Sequence, residues 1–337
     1  MYEEYFKLTD KPFALNPDPH FYYGSKEHDR VLAYLRYGLN QAEGFIVVTG
    51  DVGAGKTTLI AALLEEINKY DDIIASQLVT TQLQPDDLLK MVSNAFGLPY
   101  AGMSKSELLT SIENFLRKQA KKKKRVLLIV DEAQNLESHS LEELRMLSNF
   151  HEKTKSLLQS FLLGQGEFRD LLRAPNLEQF RQRIIASYHL GPMSKIESRC
   201  YIEHRLKVAG WRNDPLFLND AYDLIYKHTH GIPRRINTLC DRIMLYAYTE
   251  ELHEIPVSVV GSVVKELEEE LHFTSNGEDS GIRKGSVKIP AASGTAAKLS
   301  KNDSGRIDLL ENRISELEGI LFKGRTFIEA LMKYKNK

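Results

Sequence analysis

The stretch that most constrains the fold is residues 50–57, which read Gly-Asp-Val-Gly-Ala-Gly-Lys-Thr. It directly follows an apolar, strand-like run at residues 45–49 and precedes residues 59–67, whose apolar spacing is that of a helix. A glycine, four residues and then Gly-Lys-Thr between a strand and a helix is the spacing of a phosphate-binding P-loop. The sequence therefore predicts a strand–loop–helix unit within a parallel α/β sheet.

Each residue type in this loop has a mechanical reason to be there. The glycines let the backbone turn so that successive N–H groups point into one anion-sized nest, to which the positive end of the following helix adds. Lys56 can reach the terminal phosphates of a nucleotide, and the hydroxyl of Thr57 can ligand Mg²⁺. We therefore expect ATP and Mg²⁺ as ligands, with the nucleotide bound by Gly50, Asp51, Val52, Gly53, Ala54, Gly55, Lys56, Thr57 and Thr58.

Composition argues against several other classes of protein. The 337 residues carry a net charge of −1, so there is no global attraction to nucleic acid or to an anionic membrane. Cys200 and Cys240 are far apart, which indicates neither a disulfide framework nor a zinc site. The first residues lack a signal-peptide pattern, and no apolar run approaches the roughly 20 residues of a membrane span. We expect a cytoplasmic protein without its own membrane span, and leave peripheral association with the inner membrane open.

A second site signal lies at the end of another apolar run. Residues 126–130 are continuously apolar, as in a buried parallel strand, and Asp131 and Glu132 follow them. Carboxylates there lie at the edge of the sheet where ligands bind in open α/β folds. In this Walker B arrangement, Asp131 is expected to hold Mg²⁺ through water, and Glu132 to orient and polarise the attacking water.

Four more residues complete the predicted catalytic set. Gln165 follows the fourth strand-like run, where its side chain can touch the γ-phosphate or the attacking water; a loop glutamine facing solvent is the alternative. Arg181 and Arg183 precede the last strand-like run and are candidates for a catalytic role, with plain surface arginines at a helix end as the alternative. Arg183 is preferred because it lies nearer the strand. Arg234 opens a helix after Gly-Ile-Pro and is expected to face the phosphates.

The pattern along the chain predicts five segments. They are residues 1–24, rich in aromatics and proline and packed on the ATPase core beside the nucleotide base; 25–192, the P-loop domain; 193–271, a helical lid; 272–305, a flexible linker; and 306–335, an amphipathic helix. The linker lacks the large apolar residues needed to fold. For the last segment, a short coiled coil and a single docking helix remain equal alternatives. The basic run at residues 121–124 is expected to be solvated.

Short stretches spread over about residues 1–270 form a combined pattern. They are Lys11-Pro12-Phe13, Asn16-Pro17-Asp18-Pro19, Tyr37-Gly38-Leu39, residues 50–57, Asp131-Glu132-Ala133-Gln134-Asn135-Leu136, Gly164-Gln165, Arg181-Gln182-Arg183-Ile184, Tyr188-His189-Leu190-Gly191-Pro192 and Gly231-Ile232-Pro233-Arg234. Together they resemble the general secretion pathway protein A (ExeA-type) AAA+ ATPases, in particular the subgroup beside exosortase and PEP-CTERM exopolysaccharide loci. In that family's terms Gln165 is sensor 1, Arg183 or Arg181 the arginine finger and Arg234 sensor 2.

The resemblance implies an ATPase that acts as a homo-oligomer and drives or regulates assembly of an envelope secretion or exopolysaccharide-export machinery. Such proteins usually continue into a transmembrane helix and a peptidoglycan-binding domain, for which this sequence has no pattern. Any membrane role is therefore expected to pass through a membrane-bound partner. A DNA-associated ATPase switch of the transposition-helper type is the alternative, although near-neutral charge and the lack of an added DNA-binding motif make nucleic acid an unlikely partner. A third hypothesis, a scaffold that binds ATP without turnover, is disfavoured by Glu132.

Overall fold

A parallel sheet forms the centre of the structure, a computed structural model that describes residues 1–41, 44–79, 85–153 and 155–276. Its strands are β1 (Phe45–Gly50), β2 (Ile73–Val79), β3 (Arg125–Asp131), β4 (Gln159–Gly164) and β5 (Ile184–Leu190). Their order is β2-β3-β4-β1-β5, and every pair is parallel. The predicted α/β fold is confirmed, and the P-loop follows a strand, β1, that has neighbours on both sides.

Helices surround this sheet and continue beyond it. In chain order they are α1 (Tyr2–Tyr5), α2 (Lys26–Gln41), α3 (Lys56–Ile67), α4 (Pro85–Ala95), α5 (Lys105–Lys121), α6 (Ser138–Ser148), α7 (Gly166–Leu172), α8 (Glu178–Arg181), α9 (Lys195–Val208), α10 (Asn219–Thr229), α11 (Pro233–Thr249) and α12 (Val257–Asn276). Short 3-10 helices lie at Pro19–Phe21, Ala133–Asn135 and Pro175–Leu177. Helices α9 to α12 share one apolar core, and this helical region, predicted as a lid, is called the lid below.

Each central strand buries apolar side chains on both of its faces, because successive residues of a strand point to opposite sides. In β1, Phe45 and Val47 belong to the core that includes Leu88 of α4 and Phe168 of α7. Its alternate residues, Ile46 among them, belong to the core shared with α2 and α3. This double burial explains why β1, β3 and β4 read as continuous apolar runs.

The N-terminal segment packs mainly on the lid, which corrects the prediction that it packs on the ATPase core. Tyr2, Phe6 and Phe13 are buried within the apolar core of the lid helices. The hydroxyl of Tyr2 donates a hydrogen bond to Asp241 of α11 over 2.7 Å. Helices already cover both faces of the sheet, whereas the lid offers the aromatic side chains an apolar surface. The 3-10 helix Pro19–Phe21, later in the same segment, contacts α3 of the α/β domain.

The end of the lid also differs from the prediction. Helix α12 extends to Asn276, so the predicted linker does not begin at residue 272. The sequence around residues 265–270 is rich in Glu, Lys and Leu, which favour helix without needing burial, and this continues the helix past the apolar pattern. Residues 277–337, with the rest of the predicted linker and the terminal helix 306–335, lie outside the described residues. In the part that the structure describes, no helix combines the length and apolarity required to cross a bilayer.

The burial of Phe13 gives a test of how the N-terminal segment is held. Its side chain is 1% exposed, so replacement by alanine is expected to lower the free energy of unfolding by about 3–5 kcal/mol. Urea denaturation followed by circular dichroism measures this change. Leu15→Ala is the matched control, because Leu15 is 56% exposed and should cost little. Equal stability of the two variants would contradict the packing of Phe13 in the lid core.

Candidate nucleotide site

A cavity of about 380 Å³ lies at the carboxyl edge of the sheet, between the P-loop, the N-terminal segment and the lid. Many of the predicted site residues line it: Val52, Gly53, Ala54, Gly55, Lys56, Thr57, Thr58, Glu132, Gln165 and Arg234. Gly50, Asp51 and Asp131 lie behind this lining, in direct hydrogen-bond contact with its side chains. Arg181 and Arg183 are not part of the cavity wall. The structure therefore brings together every predicted residue except the two arginines.

Two glycines of the P-loop have backbone conformations and surroundings that exclude side chains. Gly53 and Gly55 have φ angles of +82° and +95°, in the left-handed region that favours glycine. A Cβ atom on Gly53 would lie 2.4 Å from the Cβ of Arg234, and one on Gly55 would lie 2.9 Å from Nε2 of His28. The loop thus makes close contact with the lid on one side and α2 on the other.

Lys56 is placed for an anionic ligand. Its ammonium donates to the carbonyl oxygens of Gly50 at 2.7 Å and Asp51 at 3.1 Å. The residue is 6% exposed, and this burial lowers the pKa of the ammonium, opposed by the nearby carboxylates of Glu132 and Asp131. A buried cation is costly unless it is compensated, and a phosphate group in the adjoining cavity would supply the compensating charge.

Thr57 and Asp131 form a pair with the donor chemistry for Mg²⁺. The hydroxyl of Thr57 donates to Oδ2 of Asp131 over 3.1 Å, and Oδ1 of Asp131 accepts from the backbone N–H of Glu132 over 2.9 Å. Burial raises the pKa of Asp131, although both hydrogen bonds oppose that rise. A hydroxyl and a carboxylate are hard oxygen ligands, the type that Mg²⁺ prefers, so these residues fit the ion.

Glu132 is held by two side-chain amides. Its Oε2 accepts from Nε2 of Gln134 at 2.5 Å and from Nε2 of Gln165 at 3.0 Å. Burial would raise the pKa of this carboxyl, but the two amide hydrogen bonds and the charge of Lys56 outweigh it, so the pKa is lowered. Gln165 thus lies in the cavity wall beside Glu132. Gln134 also binds Glu132, and the sequence patterns did not single it out as a site residue.

Arg234 reaches the cavity from the first turn of α11, next to Pro233 at the start of the helix. Its backbone N–H donates to the carbonyl oxygen of Gly53 over 3.1 Å. This hydrogen bond ties the lid directly to the P-loop. The side chain of Arg234 is exposed along the cavity, where a guanidinium can contact phosphate oxygens.

The two candidate finger arginines differ in what holds them. Arg181 donates through Nη1 to the carbonyl oxygens of Leu172 and Ala174, both at 2.7 Å. Arg183 makes an exposed hydrogen bond from Nη2 to Oδ1 of Asn149 at 2.6 Å. The guanidinium of Arg181 thus holds the backbone after α7 in place through its two hydrogen bonds. The hydrogen bond of Arg183 to the side-chain amide of Asn149 is exposed, so breaking it costs little free energy. This contrast supports the preference for Arg183.

His28 of α2 lies beside the P-loop and also lines the cavity. It is 4% exposed, and its Nε2 lies 3.1 Å from the carbonyl oxygen of Ala54 while Nδ1 lies 2.7 Å from Oγ of Ser25. Because a carbonyl only accepts, Nε2 carries the proton and Nδ1 accepts from Ser25. Burial lowers the pKa of His28, which favours the neutral form of the ring. A lone histidine within a helix pattern gave no signal of this contact.

Arg205 of α9 joins the N-terminal segment to the lid at the other end of the cavity. It is 6% exposed and donates to the carbonyl oxygens of Pro12 at 2.5 Å and Ala14 at 3.3 Å. Its guanidinium also lies 4.8 Å from the centroid of the Phe21 ring. These contacts connect residues almost 200 positions apart, so no local pattern could have indicated them.

Comparisons with known proteins agree with this geometry. Residues 39–172 match the family model of an AAA domain. General secretion pathway protein A of Aeromonas hydrophila is 39% identical over 256 residues, which are 76% of this chain. Those residues are 46% of the relative, so the chain spans about half the length of the curated protein that it matches.

Solved structures show the same fold at low identity. Cdc6p from Pyrobaculum aerophilum superimposes with a TM-score of 0.60 at 16% identity, covering 77% of this chain and 71% of that one. The ADP form of the Aeropyrum pernix ORC2 protein gives a TM-score of 0.58 at 16% identity, covering 77% and 73%. Drosophila ORC bound to DNA gives 0.56 at 17% identity, covering 76% and 63%. The α/β core of this chain therefore has the fold of AAA-type P-loop structures, and the chain is similar in sequence to general secretion pathway protein A.

Proposed function

We propose that this protein is an ATPase that hydrolyses ATP between the subunits of a homo-oligomer and thereby drives or regulates a secretion machinery of the cell envelope. The observation that carries the ATPase proposal is the convergence of four groups on one cavity. Lys56, the Thr57–Asp131 pair, Glu132 and Gln165 all meet at the carboxyl edge of the sheet.

In the proposed mechanism, the P-loop residues bind and orient the phosphates. The backbone N–H groups of Lys56, Thr57 and Thr58, in the first turn of α3, would bind the phosphates, and Lys56 supplies a point charge to the terminal phosphates. Mg²⁺, held by Thr57 and Asp131, would neutralise charge on the β- and γ-phosphate oxygens. Arg234 contacts the same region from the lid, so nucleotide binding would hold lid and P-loop together.

Hydrolysis then depends on residues that orient water. Glu132 positions and polarises the water that attacks the γ-phosphate, and Gln165 stands beside it with its own amide. Arg183 of a neighbouring subunit would stabilise the charge that develops on the transferred phosphoryl group. Its position outside the wall of its own cavity supports action across an interface.

The secretion role rests on the similarity to general secretion pathway protein A. We place the chain at the cytoplasmic side of the inner membrane, with a membrane-bound export partner, and in the exopolysaccharide-associated subgroup. The basic run at residues 121–124 precedes β3, so it lies at the end of the parallel sheet opposite the cavity. No feature of the described cavity favours the DNA-associated alternative.

Replacement of Lys56 by alanine tests the nucleotide site. The variant is expected to lose ATP binding, because the charge opposite the terminal phosphates is gone. Titration with a fluorescent ATP analogue measures the affinity. Lys69→Ala, which removes an exposed lysine outside the cavity, should bind as the parent does. Unchanged affinity in Lys56→Ala would remove this lysine from the proposed site.

The export role is tested in cells. A strain whose only copy of the protein carries Glu132→Gln is expected to lose export of one envelope cargo, with the protein still present at normal level. Exported polysaccharide and exported protein are measured separately, and the cargo that fails identifies the machinery. Normal export of both would contradict the secretion role while leaving the ATPase proposal to its own tests.

A further inference from the structure

Three hydrogen bonds join Glu132, Gln134 and Gln165 in a closed ring that includes one carboxylate oxygen of Glu132. Gln134 donates from Nε2 to Oε2 of Glu132 at 2.5 Å and accepts, through Oε1, from the backbone N–H of Gln165 at 3.0 Å. Gln165 closes the ring by donating from its own Nε2 to the same Oε2 of Glu132 at 3.0 Å. One amide side chain, that of Gln134, therefore bridges the end of β3 to the residue that starts α7.

Gln134 does not itself line the cavity. Glu132 and Gln165 both lie in the cavity wall, whereas Gln134 sits in the 3-10 helix Ala133–Asn135 behind them. This short helix packs against both β4 and α7. The side chain is half-buried and uses both its donor and its acceptor within the ring. Gln134 therefore contacts the two residues of the cavity wall without being part of the wall itself.

The backbone on either side of the ring is constrained. Glu132 has a φ angle of +54°, an uncommon left-handed conformation for a residue with a side chain. At the other end, a Cβ on Gly164 would lie 2.8 Å from the Cβ of Phe168, so the turn from β4 into α7 allows no side chain there without movement. The ring therefore joins two turns that the fold already holds in place, and an amide is the group that can donate to one and accept from the other.

We infer that Gln134 is a positioning residue that holds Glu132 and Gln165 in one fixed arrangement at the γ-phosphate end of the cavity. This inference rests on the proposed ATPase function. Asp or Glu at position 134 could accept from Gln165 but would repel Glu132, and a shorter amide would not reach both partners. Glutamine suits this position because its side chain is long enough to reach both partners and its amide both donates and accepts a hydrogen bond.

Replacing Gln134 by methionine keeps the length of the side chain and removes both hydrogen bonds. Hydrogen bonds to charged groups are the stronger class in proteins, so kcat is expected to fall about 10- to 100-fold. The KM for ATP and the affinity for ATP should stay within about twofold, because Gln134 does not line the cavity. Gln119→Met, the same change at a half-buried glutamine of α5, is the matched control.

Combination with Glu132→Gln separates positioning from a general structural role. In a Glu132→Gln background, where the carboxylate is gone, Gln134→Met should cause a much smaller further loss in single-turnover rate than it causes in the parent, since only the contact with Gln165 is then lost. If Gln134→Met does not fold, Gln134→Asn serves the same purpose, since asparagine keeps the amide but is too short to bridge both partners.

Each outcome has a separate meaning. A folded Gln134 variant with parental kcat, alongside an inactive Glu132→Gln, would overturn the inference, and so would a loss of ATP affinity in place of kcat. Parental turnover by Glu132→Gln would instead overturn the proposed role of Glu132 itself. A fall in kcat at constant KM that becomes much smaller in the Glu132→Gln background is the result that the hydrogen-bond ring predicts.

Discussion

Replacement of Arg183 by alanine is expected to leave ATP affinity nearly unchanged and to lower turnover by about 10³- to 10⁵-fold. The range is that of arginine fingers in related phosphoryl transfer. The physical reason is position, because Arg183 lies outside its own cavity and its guanidinium is bound only through an exposed hydrogen bond to Asn149 among the contacts of the described residues. Steady-state phosphate release and ATP titration, measured on the same preparation, separate turnover from binding.

A control arginine makes this result specific. Arg173 is exposed and makes a local ion pair with Asp170, so Arg173→Ala removes the same charge without removing the proposed finger. It should keep parental turnover. Equal losses in both variants would mean that surface charge, and not Arg183, matters for hydrolysis.

Mixing two inactive variants tests whether Arg183 acts across an interface. An Arg183→Ala subunit retains Lys56, Asp131 and Glu132, while a Glu132→Gln neighbour retains Arg183. Some interfaces of a mixed oligomer then contain one complete site, so part of the turnover should return. Absence of recovery, with mixed oligomers shown to form, would rule out Arg183 as a group supplied in trans.

Glu132→Gln is expected to bind ATP as the parent does and to hydrolyse it about 10²- to 10⁴-fold more slowly, the range for loss of a positioned general base. Glutamine has nearly the same shape as glutamate, so the cavity should persist. It lacks the negative charge that polarises water, and its amide meets two other amides, from Gln134 and Gln165. Single-turnover hydrolysis of bound ATP measures the slowed step.

The matched control for this variant is Glu137→Gln, which removes an exposed carboxylate a few residues further along the chain. Its turnover should equal that of the parent. If Glu132→Gln releases phosphate at the parental rate, another group must orient the water, and the assignment of Glu132 is wrong.

The sequence was sufficient for the parts of the site whose signals are local. The P-loop and the carboxylates after β3 are short runs with a fixed relation to one strand, and parallel topology places the ends of such strands at one edge. Gln165 belongs to the same class, because it directly follows β4. The α/β fold could be predicted for the same reason, since buried parallel strands leave continuous apolar runs.

What the sequence did not reveal depends on contacts between distant parts of the chain. The aromatic residues of the N-terminal segment signalled packing, but not that Phe13 would join the lid core. Arg205 and His28 contact backbone carbonyl oxygens, and a carbonyl is present at every residue, so no pairing of residue types marks such contacts. Gln134 was visible only as part of a motif, because its role requires the bridge to Gln165.

The central claim is that this chain hydrolyses ATP in the cavity that Lys56 and Glu132 line. The most direct measurement is the release of phosphate from ATP by the purified chain, with Mg²⁺ and then with excess EDTA, beside Lys56→Ala and Glu132→Gln. The account predicts turnover that requires Mg²⁺ and falls to background in both variants. Phosphate release that persists in Lys56→Ala, or that is unaffected by EDTA, would contradict it.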